Sequence, residues 1–96
     1  MSVIVQLRCL IDVDKKAELM PFLVENLPNV RSFSGCFSVD VCFSLDGKEM
    51  LLAEQWESVQ HHQNYIEYIS ANGVMQLLRS HLIADPDVNY FEKYSC

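Results

Sequence analysis

The chain has 96 residues, half of them hydrophobic and 10% aromatic, with only three glycines and three prolines. This is a globular composition, and the length predicts one domain covering residues 1–96. The formal net charge of −6 makes nucleic acid a poor partner, because an acidic surface repels phosphate, and no apolar stretch approaches the roughly 20 residues of a membrane span.

The opening "MSVIVQLRCL" has neither a basic leader region nor a small-residue cleavage site, so it reads as a strand. Val3, Val5, Leu7 and Cys9 fall on one face of that strand. Asp14 can cap a helix over "KKAELMPFLVENL", where Leu19, Met20, Leu23 and Leu27 repeat at helical spacing. Pro21 predicts a kink or a late start, and Pro28-Asn29 an end. "SGCFSVDVCFSL" alternates, with Phe37, Val39, Val41 and Phe43 on one face and Cys36, Ser38, Asp40 and Cys42 on the other. Asp46-Gly47 predicts a hairpin into "KEMLLAEQWE". There Met50, Leu52, Glu54 and Trp56 share one face, and Leu51 and Ala53 make the other face apolar too. A strand apolar on both sides needs cover on both sides.

Ser58 is a plausible N-cap for a helix from Val59 to about Ser70, with Val59, His62, Tyr65, Ile66 and Ile69 on its apolar arc. Asn72-Gly73 breaks it. "VMQLLRSHLI" continues as a second helical piece, with Val74, Leu77, Leu78 and His81 inward and Arg79 to the side. Asp85-Pro86 stops that piece, and "VNYFEKYS" reads as a fourth strand. The order is a ferredoxin-like βαββαβ arrangement, an α+β antiparallel four-stranded sheet with helices on one face. Face-to-face pairing of two copies would cover the bare side. A chain this short buries only about 60–65% of its unfolded surface, so a homodimer would also help it energetically.

The four cysteines, Cys9, Cys36, Cys42 and Cys96, form no C-x-x-C motif. Cys36 and Cys42 sit on one predicted face but roughly 20 Å apart along it, too far to pair. Reduced thiols and a cytoplasmic location are expected. There is no dinucleotide fingerprint, P-loop, nucleophile elbow or H-E-x-x-H. His61 and His62 diverge by about 100° on a helix, so they do not make a metal pair, and no metal site is expected.

Glu54 and Trp56 point to the helix side of the sheet, and His62 points to the same space from the helix that follows. A buried carboxylate needs a hydrogen-bonding or basic partner. Each residue has a plain structural explanation: a core indole, a paired carboxylate, a satisfied core histidine. Their convergence is what suggests a small-molecule pocket. Tyr65 and Tyr68 read first as core and rim aromatics, and His81 as core.

The element order together with "AEQWESVQHH" resembles the antibiotic biosynthesis monooxygenase family of dimeric α+β barrel proteins, over nearly the whole chain. Small quinol monooxygenase-like members, with a similar "EQWES" and a histidine soon after, are the best match. The resemblance implies a homodimer and a pocket between sheet and helices. It also implies oxidation of a quinol or polycyclic phenol by O2, with no metal or flavin cofactor. In actinorhodin-pathway members an Asn precedes the Trp by four residues, a Tyr follows it by six, and an Arg lies on the later helix. The matching positions here are Leu52, His62 and Arg79, with Trp56 retained. The expected catalytic set is therefore His62 as base, Glu54 tuning it, Trp56 shaping and stacking the pocket, and Arg79 at the oxyanion. Leu52, Tyr65, Met75 and His81 are expected to bind substrate. Haem-degrading relatives use an Asn, a Trp and a ligating His where this chain has Gln6, Tyr65 and approximately Arg79, so haem is not expected. An isomerase of the same superfamily, or a non-catalytic binding domain, is the alternative.

Overall fold

The computed structural model describes residues 2–94. Four strands, β1 (Val3–Leu10), β2 (Cys36–Phe43), β3 (Glu49–Trp56) and β4 (Asp87–Glu92), form one antiparallel sheet in the order β2-β3-β1-β4. Three helices, α1 (Lys16–Arg31), α2 (Val59–Ala71) and α3 (Val74–Arg79), cover one face. This is the ferredoxin-like α+β arrangement that the order of elements implies. Among the described residues, no helix is long and apolar enough to cross a membrane.

Strand alternation builds the core. Val3, Val5, Leu7 and Cys9 from β1 and Met50, Leu52 and Trp56 from β3 are buried under Leu19, Leu23 and Val30 of α1 and Ile69 of α2. The other face of the sheet keeps Leu10 and Phe91 46% and 48% exposed, with Ile4, Leu51 and Ala53 only half-buried between them.

Several local expectations change. Asp12, not Asp14, is the cap: its carboxylate accepts from the Asp14 N–H at 3.1 Å and starts a 3-10 turn at Val13–Lys15 ahead of α1. Helix α1 begins at Lys16, so Pro21 does not delay its start, and it runs past Pro28 to Arg31. A proline removes one helical hydrogen bond, and the buried Leu19, Leu23 and Val30 keep the helix on the sheet regardless. A register shift between Cys36 and Ser38 places Cys36 opposite Trp56, on the helix side, and leaves Phe37 58% exposed. The bulge therefore puts Cys36 and Cys42 on opposite faces rather than one. On α3, Leu77 is exposed and Met75 is buried in its place. The fourth strand ends at Glu92. Cys9, Cys36 and Cys42 are free thiols, while Cys96 lies outside the described residues.

Gly35 precedes the bulge at φ +88°, a left-handed conformation that favours glycine. A Cβ there would overlap the His61 ring. Gly35→Ala should therefore lower stability by about 2 kcal/mol, measured by chemical denaturation, through strain and displacement of His61.

Candidate active site

The site begins with one row across the sheet. The register aligns Val39, Glu54, Val5 and Tyr90 side by side on the helix-covered face. Glu54 is the acidic member of that row and only 5% exposed. Its Oε1 accepts a hydrogen bond from Trp56 Nε1 at 2.8 Å, the neighbour two residues along the same strand face.

Helix α2 brings the second group. Ser58 caps it, accepting from the His61 N–H at 3.1 Å. The cap sets the helical phase that turns His62 inward and His61 outward, where His61 Nε2 lies 3.3 Å from Glu57 Oε2. His62 is 1% exposed. Its Nε2 is 3.8 Å from Glu54 Oε1, and its Nδ1 is 2.8 Å from the Tyr90 hydroxyl. Glu54, His62 and Tyr90 thus form a line from the interior to a residue that is 38% exposed. The ring of Trp56 meets His62 edge-on at 5.3 Å and lies 5.6 Å from Tyr65.

Burial sets the protonation states. It raises the Glu54 carboxyl to about 7, with the Trp56 N–H opposing the shift. It lowers His62 to about 4, so the imidazole is neutral near pH 7. It raises the Tyr65 hydroxyl to about 12, with the nearby Glu54 carboxylate adding to the effect. Of the three, Glu54 is the group matched to proton transfer near neutrality.

Glu54 and His62 open onto a chamber between sheet and helices, lined otherwise by Leu52, Tyr65, Met75, Asn26 and apolar residues of the sheet and all three helices. It holds about 60 Å³ of space for the centre of a water-sized sphere. That is small beside the roughly 300–1,000 Å³ of drug-sized ligand sites.

Leu52, Glu54, His62, Tyr65 and Met75 therefore share one cavity, but three other expected site residues do not line it. Trp56 is wholly buried, so it supports Glu54 from the side and offers no stacking surface to a ligand. Arg79 is half exposed and pairs with Asp85 at 3.3 Å, because the short α3 turns that position toward solvent. His81 is buried elsewhere, its Nδ1–H donating to the Leu77 carbonyl at 2.7 Å and its ring 5.3 Å from Phe22. Exposed pairs contribute little. Arg79→Ala should change stability by less than about 0.5 kcal/mol in a denaturation experiment and leave ligand affinity unaltered.

Sequence periodicity does not single out Tyr90 beside His62, Asn26 in the chamber wall, or Phe33, which packs against Trp56 and Tyr65. Tyr90 could have been found by counting alternation through the fourth strand, which puts it on the same face as Val88. Asn26 and Phe33 lie on and just after α1, and their position depends on how that helix crosses the sheet, which sequence periodicity does not encode. Among the described residues, no group of three or more His, Cys, Asp or Glu side chains could hold a metal ion.

The chain matches no protein-family model and no curated protein. Solved structures match it along nearly its full length. Rv0793 from Mycobacterium tuberculosis aligns with a TM-score of 0.85 at 21% identity, covering 99% of this chain and 97% of that one. A monooxygenase from Streptomyces coelicolor, in complex with nanaomycin D, aligns with a TM-score of 0.81 at 18% identity, covering 99% and 89%. A protein described as an antibiotic biosynthesis monooxygenase aligns with a TM-score of 0.84 at 14% identity, covering 99% and 100%. The chain thus has the ferredoxin-like α+β fold found in antibiotic biosynthesis monooxygenases.

Proposed function

We propose that the protein oxidises a phenolic or quinol-type small molecule with O2, and that Glu54 is the base. The observation that carries this reading is a carboxyl with a near-neutral pKa at an apolar chamber, beside a neutral imidazole. Binding of nanaomycin D by a monooxygenase of the same fold supports the substrate class.

A deprotonated phenol is electron-rich enough to pass electrons to O2. For a phenol with a free para C–H, one O2 is consumed and its O–O bond breaks. One oxygen bonds to the para carbon, the other leaves as water, and the ring becomes a quinone. All the electrons come from the ring, so the balance needs no other reductant. Glu54 takes the phenolic proton, and the apolar walls keep water away from the oxidised ring. Its pKa near 7 lets Glu54 release that proton again as product leaves, while His62 stays neutral beside it, Nε2 3.8 Å from the carboxyl and Nδ1 held by the Tyr90 hydroxyl. This reverses the roles expected from the sequence: burial weakens His62 as a base and strengthens Glu54. Admission of a full aromatic ring requires Tyr65 and Met75 to change rotamer, which methionine does readily.

The uncovered sheet face, with Leu10, Leu51 and Phe91, supports a homodimer. A non-catalytic binding domain is the competing reading, favoured by the small chamber. Oxygen uptake above the uncatalysed rate with a panel of naphthols that carry a free para C–H separates the two. Consumption with stoichiometric quinone supports the oxygenase reading, and tight binding without consumption supports the other.

A further inference from the structure

Outside the chamber lies a second depression of about 450 Å³, between the C-terminal half of α1 and the α2–α3 junction. Asn26, Tyr65, Ile69 and Val74 line both spaces, so they form the partition between them. The two surfaces differ in chemistry. The inner chamber is lined by apolar residues apart from Glu54, His62, Asn26 and Tyr65. The outer groove adds Asn29, Ser32, Phe33, Tyr68 and Asn72, none of them charged.

The groove has an aromatic floor. Phe33 meets Tyr65 edge-on at 5.1 Å and lies 5.5 Å from Tyr68. Amide side chains flank it. Asn72 uses its Oδ1 to accept from the Val74 N–H at 3.0 Å, which leaves its amide hydrogens for a ligand. Asn26 donates from Nδ2 to the Phe22 carbonyl at 2.8 Å, which leaves its Oδ1 as an acceptor. Aromatic faces carry negative charge and attract C–H groups, while amides offer paired donors and acceptors to hydroxyls. A saturated, hydroxylated ring satisfies both surfaces. An anion finds no cation among the groove's lining residues, and a purely apolar group would strand the amides.

We propose that this groove is a subsite for an uncharged sugar-like substituent, so that the ligand is a phenol bearing a glycosyl group. The phenolic end enters the inner chamber past Tyr65, and the hydroxylated end stays on the Phe33–Tyr68 floor between Asn29 and Asn72. The inference rests on the reading of the inner chamber as the phenol site, but its test is separate.

The test is calorimetric binding of a dihydroxynaphthalene, its monoglucoside and its monoglucuronide to the full chain without O2. The glucoside should bind about tenfold more tightly than the aglycone. Asn29→Ala and Tyr68→Ala, both at exposed positions, should each reduce that advantage about fivefold while leaving the aglycone affinity unchanged. Equal affinities for glucoside and aglycone, or a glucuronide that binds most tightly, would overturn the proposal. So would an advantage that survives both substitutions. Absence of oxygen consumption with a preserved glucoside preference would overturn the oxygenase reading and leave the subsite standing. Consumption of the aglycone with no glucoside preference would do the reverse.

Discussion

Glu54→Gln should slow oxygen consumption by a factor on the order of 10² to 10⁴, the usual contribution of a positioned general base. The amide keeps an oxygen that can accept from Trp56 Nε1, so the 2.8 Å contact and the core around it should survive. The loss is thus of chemistry and not of fold. Wild-type rate should rise with pH through about 7, where the Glu54 carboxyl gives up its proton, and the variant should lack that step. An oxygen electrode read over a pH series tests both parts. A variant as fast as wild type would remove Glu54 from the mechanism.

The second large effect concerns stability. The folded Glu54 carboxyl holds its proton up to about 7, whereas its ordinary value is 4.5. Its contribution is full below 4.5 and is lost as pH rises through about 7. His62 is displaced the other way, from 6.5 down to about 4. Its contribution is full above 6.5 and is lost as pH falls through about 4. Between 4.5 and 6.5 the two slopes oppose each other, so the pair leaves wild-type stability nearly level there. Glu54→Gln removes one slope and exposes the other. Its stability should climb by ~3 kcal/mol as pH rises from about 4 to about 6.5. His62→Gln should show the mirror image, losing ~3 kcal/mol as pH rises from about 4.5 to about 7. Urea denaturation at a series of pH values checks this. Level profiles in both variants would mean that burial does not shift either group.

The level stretch has a structural meaning. A protonated carboxyl beside a neutral imidazole is an uncharged buried pair, which avoids the desolvation cost of two ions. The substrate proton would be taken up and released at the carboxyl of that pair. Trp56 holds one end of it and Tyr90 the other.

Much of this was legible in the sequence because strand alternation and helix phase are local. Alternation sent Glu54 and Trp56 to the helix side, and the Ser58 cap set the phase of His62. The bulge after Gly35 was not legible, since a one-residue register slip leaves the composition of the alternating stretch unchanged and flips Cys36 across the sheet. Pro21 does not delay α1 and Pro28 does not end it, because tertiary burial of Leu19, Leu23 and Val30 outweighs the lost backbone bonds. Helix phase puts Arg79 to the side, and the six-residue α3 does present it to solvent beside Asp85; its oxyanion role was implied only by the resemblance. The opposite pKa shifts of His62 and Glu54, on which the proposed base rests, were out of reach, because burial depth decides them and burial depth is set by the whole fold.

The central claim is that Glu54 keeps its proton to near neutrality at the chamber. Site-resolved carbon NMR of the glutamate carboxyls, assigned by comparison with Glu54→Gln, measures it directly. The account predicts a Glu54 midpoint near 7. A midpoint near the ordinary 4.5 would contradict it, and the pH–rate and pH–stability profiles would fall with it.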